Sequence, residues 1–221
     1  MQKHSSIFLI VLLVTALVMP GVAAADRMLK SSALCSYEIE KHERLNRIPQ
    51  QLLKAISVTE SGRWHKPSQR VVPWPWTVMA KGEGKFFNSK GQAIAYVMRM
   101  KDQGIKNIDV GCMQVNLFYH GDKFANLDEA FNPRTNVGYA TQYLTNLKQE
   151  TRSWTQAVSK YHSNNKKFSQ PYRKKVFANW NKEKRYSYED RRQMLLERYR
   201  AKRLSKYYQK DDTPVQTASA E

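Results

Sequence analysis

Leu53, Ile56 and Glu60 fall at i, i+3 and i+7, which places an acid on the apolar face of a helix. Gly62, two residues on, is positioned to end that helix in a left-handed conformation. A carboxyl at the last turn of a core helix has hydrophobic neighbours on one side, and desolvation raises its pKa. A carboxylic acid needs such a shift to donate a proton at neutral pH. Other chemistries have less support. The chain has no phosphate-cradling glycine loop and no Gly-x-Ser-x-Gly. Its five histidines are scattered, and neither Cys-x-x-Cys nor His-x-x-x-His spacing accompanies its cysteines, so no metal or other cofactor is expected.

The elements that must position Glu60 read mostly as helices. Ser32 is a candidate cap for a helix running through Cys35 and Ile39 towards Leu45, and Pro49 suits the first turn of the helix that carries Glu60. Residues 71–90 differ: Thr77-Val78-Met79 and Lys85-Phe86-Phe87 flank Lys81-Gly82-Glu83-Gly84, the pattern of a small β-hairpin. Trp74 and Trp76 before it serve either as stacking faces for sugar rings or as hairpin core. A helix with Ile94, Val97 and Met98 on one face stops at Gly104, and 108–116 is short and extended or turning. Asn132-Pro133 starts a helix with an inner face of Val137, Ala140, Leu144 and Leu147. Ser153 opens another through Trp154, Ala157, Val158 and Tyr161, and a last one carries Tyr172, Val176 and Trp180. The fold expected is mainly α, an α+β domain with a β-hairpin insertion near 71–90.

Four segments recur in a recognisable order: Glu60-Ser61-Gly62; Gly111-Cys112-Met113-Gln114-Val115-Asn116; Asn132-Pro133 to Asn136, Gly138, Tyr143 and Leu144; and Ala157 to Tyr161-His162-Ser163. Together they resemble the catalytic domain of soluble lytic transglycosylases, which is lysozyme-like and related to goose-type lysozyme, over roughly residues 33–180. The resemblance implies that Glu60 is a single catalytic acid/base. It also implies that Ser61, Met113, Gln114, Asn116 and Tyr161 bind substrate, with Tyr161 approaching the glutamate. Its reaction cleaves the bond between N-acetylmuramic acid and N-acetylglucosamine in peptidoglycan without water, leaving 1,6-anhydro ends. Ordinary glycosidases need two carboxylates. Here the nearest second acid is Asp109, and a substrate hydroxyl acting as nucleophile dispenses with one. A hydrolytic muramidase using Asp109 as base, and an inactive wall-binding or assembly protein, are the competing readings. Two departures stand out. Some fifty residues separate Glu60 from Gly111, and the last motif reads Tyr-His-Ser where many members have Tyr-Asn-Ala-Gly. His162 is read as a turn residue, and Asn136 and Tyr143 as capping and packing residues.

Context comes from the ends of the chain. Lys3 and His4, the apolar run Ile7–Val18, Pro20-Gly21 and Ala23-Ala24-Ala25 form a secretory signal peptide over 1–25. The run is shorter than the ~20 residues a membrane span needs. The expected location is secreted, and periplasmic where the envelope has two membranes. Two cysteines in an exported chain, Cys35 and Cys112, favour a disulfide. The net charge is +18, and residues 151–221 hold 18 Lys/Arg against 7 acids. Domain organisation is read as 1–25 signal, 26–182 catalytic domain and 183–221 basic C-terminal helix or tail. Glycan strands are the expected partner. Through the basic tail, anionic envelope polymers or a secretion or appendage apparatus qualify too, and nucleic acid is not expected.

Overall fold

The computed structural model describes residues 20–211, so the expected signal peptide lies outside them up to residue 19. The remaining residues of that stretch begin a long first helix, α1 (Pro20–Leu45). It is followed by α2 (Leu52–Ser61), a hairpin of β1 (Gly62–His65) and β2 (Arg70–Pro73), then β3 (Thr77–Ala80), β4 (Glu83–Phe86) and α3 (Lys90–Asp102). Strands β5 (Ile108–Val110) and β6 (Val115–Asn116) lead into two short helices, α4 (Leu117–His120) and α5 (Leu127–Phe131). Three helices complete the fold: α6 (Pro133–Thr151), α7 (Trp154–His162) and α8 (Lys166–Asp211). The larger sheet is antiparallel throughout, in the order β4-β3-β5-β6. The fold is thus mainly helical with a small antiparallel sheet, as the lysozyme-like expectation requires.

The core is continuous from α1 through α2, the sheet and α6 to α8. Ile39, Leu53, Ile56, Val97, Ile108, Leu144, Val158 and Val176 all belong to it and are fully buried. The inner face expected for α6 is buried as a set, and Asn132 caps that helix by accepting from the Arg134 N–H at 3.0 Å. Ser153 likewise caps α7. Cys35 and Cys112 form the expected disulfide, Cα atoms 5.8 Å apart, fastening α1 to the turn after β5. Closing a loop of 77 residues stabilises the fold by roughly 4.5 kcal/mol in the chain-entropy picture.

Several local expectations are corrected. Ser32 lies inside α1 and caps nothing, because that helix starts at Pro20. Pro49 does not open α2, which begins at Leu52 after a left-handed Gln51. Its cap is supplied from a distance. The buried Glu43 of α1 accepts from the backbone N–H groups of Gln51 and Leu53, both at 2.8 Å, and of Lys54 at 3.2 Å. A carboxylate there also meets the positive end of the helix dipole. Gly62 is extended (φ −63°), not left-handed. Its missing side chain serves close approach: a Cβ would lie 2.1 Å from the Val58 carbonyl oxygen and 2.5 Å from Val71 Cγ1. Met98 is exposed; the inner face of α3 is Ala93, Tyr96, Val97 and Met100. Trp74 belongs to the hairpin core, buried with its indole N–H donating to the Phe87 carbonyl at 2.8 Å.

The boundary expected at 182 falls inside α8, which runs through it unbroken. Its middle docks back on the body. Arg70 of β2 makes a bidentate pair with Asp190 at 2.7 and 2.8 Å, and its guanidinium lies 4.4 Å over the Tyr186 ring. Arg191 and Met194 still border a groove against Arg70 and Val71, and Met194, Leu195, Tyr199 and Leu204 are exposed.

Candidate active site

Glu60 stands at the C-terminal turn of α2, where its carboxyl opens into a cleft of about 800 Å³. One wall is the sheet, contributing Met79, Asp109 and Asn116, with Gln114 from the turn between β5 and β6. The facing wall is helical: Tyr139 and Tyr143 of α6, Tyr161 and His162 of α7, and Tyr172 and Lys175 of α8. Cross-strand pairing explains the first wall. Met79 opposes Asp109, and Asp109 opposes Asn116, so the three side chains form one row on the same sheet face. Their neighbours Ile108 and Val110 point the other way and are fully buried.

The turn bearing the second motif is locked to the Glu60 helix. Ser57 and Ser61 of α2 both donate to the Cys112 carbonyl at 2.7 Å. Asn136 of α6 accepts from the Met113 N–H at 2.9 Å and donates to the carbonyls of Val110 and Ala130. Gly111 adopts a positive φ of 82°, and a Cβ there would strike the Asn136 amide nitrogen at 2.5 Å. The buried side-chain polar atoms of this knot are all satisfied, and such networks hold one geometry.

The expected site residues divide accordingly. Glu60, Gln114, Asn116 and Tyr161 meet in the cleft. Ser61 and Met113 do not: both are fully buried behind it, Ser61 spent on the Cys112 carbonyl and Met113 packed in the core. They support the site and present no surface to a sugar. The Tyr161 ring lines the cleft while its hydroxyl donates to the Met113 carbonyl at 2.9 Å. The tyrosine that bonds the glutamate is another one, Tyr172, whose hydroxyl donates to Glu60 Oε1 at 2.6 Å. Nothing in the sequence marks Tyr172 beyond its place on an apolar helix face, since the partners lie 112 residues apart. His162, read as a turn residue, is in the cleft and stacks on Tyr172 with ring centroids 4.5 Å apart. Tyr143, read as packing, also lines the cleft, whereas Asn136 is structural as expected.

Burial pushes the Glu60 carboxyl up to about 7; Asp109 adds to the rise, while the Tyr172 hydrogen bond and Lys175 oppose it. The C-terminal end of a helix also disfavours a negative charge. Asp109 is raised as well, by burial, against the hydrogen bond from Asn116. Burial lowers His162, and nearby Lys175 adds to this, keeping the imidazole neutral near pH 7. Tyr172 and Tyr161 are pushed well above their ordinary range by burial and by Glu60, so both remain hydroxyls. The cleft therefore holds one acid poised to give and take a proton near neutrality, beside flat aromatic faces able to stack on sugar rings.

The sequence model of the transglycosylase SLT domain family matches residues 37–182, about two thirds of the chain, and the chain belongs to that family. Its members are peptidoglycan lytic transglycosylases, acting on glycan strands. Neither a curated protein nor a solved structure matches the chain.

Proposed function

We propose that this protein cleaves the N-acetylmuramic acid to N-acetylglucosamine bond of peptidoglycan without water, with Glu60 as its single acid/base. The observation that carries the proposal is the Glu60 carboxyl itself, half-buried in the cleft and fixed by the Tyr172 hydroxyl, where burial pushes it up to about 7. At neutral pH a large fraction is protonated and can protonate the leaving oxygen as C1–O4 breaks. The resulting carboxylate is met by the Tyr172 hydroxyl and Lys175, while its poor solvation favours regaining a proton. The sugar's C6 hydroxyl supplies that proton as its oxygen closes on C1, giving the 1,6-anhydro end. Both reacting groups sit on one ring, so the second step gains from proximity.

The same proposal makes the protein exported, acting in the periplasm where there are two membranes. The distal part of α8 carries seven Lys/Arg against Glu197 alone between Arg191 and Tyr207. It extends roughly 30 Å beyond Asp190 at 1.5 Å per residue. Such a helix suits anionic envelope polymers, with contacts screened within ~10 Å at 0.1 M salt.

The test is Glu60→Gln assayed on purified wall glycan. The amide keeps the shape and cannot donate, so cleavage falls by at least ~10²-fold while glycan binding persists. Cleavage within a few-fold of wild type removes Glu60 from the chemistry.

A further inference from the structure

A second carboxylate shares the cleft with Glu60, and the fold goes to some length to hold it there. Asp109 sits in the middle of the sheet-face row, flanked by Met79 and Asn116, all three lining the cleft. Asn116 Nδ2 donates to Asp109 Oδ1 at 2.7 Å, and its other proton goes to Asn107 Oδ1 at 2.5 Å. Asn116 Oδ1 is occupied too, accepting from the N–H groups of Phe118 at 2.9 Å and Tyr119 at 3.2 Å. With donors and acceptor all engaged, the Asn116 amide is fixed, and so is the carboxylate oxygen it holds. Lys160 and Lys175 line the same cleft, yet no ion pair among the described residues includes Asp109. Burying a charge without a counter-charge is unfavourable, and here it also makes a neighbouring acid harder to ionise.

Asp109 thus has no ion-pair partner among the described residues, and a reacting sugar would provide positive charge beside it. We propose that Asp109 is a second catalytic residue, a fixed anion that stabilises the positive charge developing on the sugar ring as the glycosidic bond breaks. This assignment rests on the glycan-cleaving role of Glu60 proposed above. The step balances without a covalent bond to Asp109. The Glu60 proton goes to the leaving oxygen, the C1–O4 electron pair leaves with it, and the charge spreads over C1 and the ring oxygen. The C6 hydroxyl oxygen then bonds to C1 and its proton returns to Glu60. A fixed charge aimed at developing charge acts without reorganisation, which is where such groups contribute most. Asn116, which the family resemblance implied as a sugar ligand, becomes the positioning residue for Asp109.

The experiment compares wild type, Asp109→Asn and Asp109→Glu on defined glycan fragments, with kinetics, product masses and pH profiles. The asparagine variant can still accept from Asn116, so it folds. It should lose roughly 10²-fold in kcat, by analogy with removal of one oxyanion donor, with KM within a few-fold. Asp109→Glu, which keeps the charge, should recover part of that loss. The profile gives a readout that a merely structural role would not move. The groups acting on Glu60 are Tyr172 and Lys175 from α8, Tyr161 from α7 and Asp109 from β5, and Lys160 and His162 of α7 line the same cleft. Removing the Asp109 charge lowers the Glu60 midpoint, so the basic limb of kcat/KM moves to lower pH in Asp109→Asn. An unchanged kcat, equal losses in both variants, or a basic limb that stays in place overturns the inference. So does a loss confined to hydrated products, which would make Asp109 a base for water. Wild type that cuts no glycan at all overturns the Glu60 proposal first and this one with it.

Discussion

Glu60→Gln should make the fold more stable at pH 8 while leaving stability at pH 4 nearly unchanged. The folded-state pKa is raised from 4.5 to about 7, so between those values the native state holds a proton that the unfolded chain has released. Stability therefore falls as pH rises through that window, and is restored below pH 4.5, where both states are protonated. A rise of some 2.5 units at 1.36 kcal/mol each corresponds to about 3 kcal/mol lost by wild type above pH 7. Glutamine carries no charge at any pH and escapes the loss, and it can still accept from Tyr172. Urea or thermal melts of both proteins at pH 4 and pH 8 measure the difference. At 2–4 °C per kcal/mol for a chain of this size, the gain at pH 8 is roughly 6–12 °C in Tm. A gain of the same size at both pH values, or none at pH 8, refutes the argument that burial holds this carboxyl against ionisation.

Tyr172→Phe removes the hydroxyl that favours the ionised form of Glu60, so the Glu60 midpoint should rise above about 7. A basic limb of kcat/KM that moves down or stays put speaks against it. Thiol counting on denatured, non-reduced protein should find no free cysteine. Reduction should lower stability by up to ~4.5 kcal/mol and activity with it, because Cys112 lends its carbonyl to Ser57 and Ser61. Ending the chain after 182 removes the Arg70–Asp190 pair and the Tyr186 stack, and should lower Tm by roughly 2–6 °C. Ending it after 192 should leave melting unchanged and weaken salt-sensitive binding to a polyanion such as heparin; an equal loss of stability in both truncations would show that the distal helix packs.

What the sequence made legible was whatever is written locally. Asn132 and Ser153 cap the helices they precede, and the two inner faces follow the 3.6-residue period. The turn between β3 and β4 announces itself with Lys81-Gly82. The disulfide follows from two cysteines in a chain expected to be exported. What stayed hidden depends on partners far along the chain. The start of α2 is set by Glu43, and the docked part of α8 by Arg70. Gly62 reads as a helix stop from its neighbours, yet beside the nearby Val58 carbonyl the demand on it comes from Val71, in a hairpin that the local pattern did not suggest. The site shows the same division. Glu60 could be found from helix phase together with the companion motifs, whereas Tyr172 and His162 reach it only through the packing of α7 and α8. Ser61 and Met113 carry motif identity because they lock the scaffold, and sequence alone does not separate a residue that holds the site from one that touches the ligand.

In the proposed mechanism Glu60 drives cleavage in which the sugar supplies its own nucleophile. Its most direct test is mass analysis of wall glycan digested by the full-length protein in ¹⁸O-labelled water. The expected products are 1,6-anhydro-muramic ends free of the label. Reducing ends carrying ¹⁸O at C1 would mean that water is the nucleophile, and would contradict it.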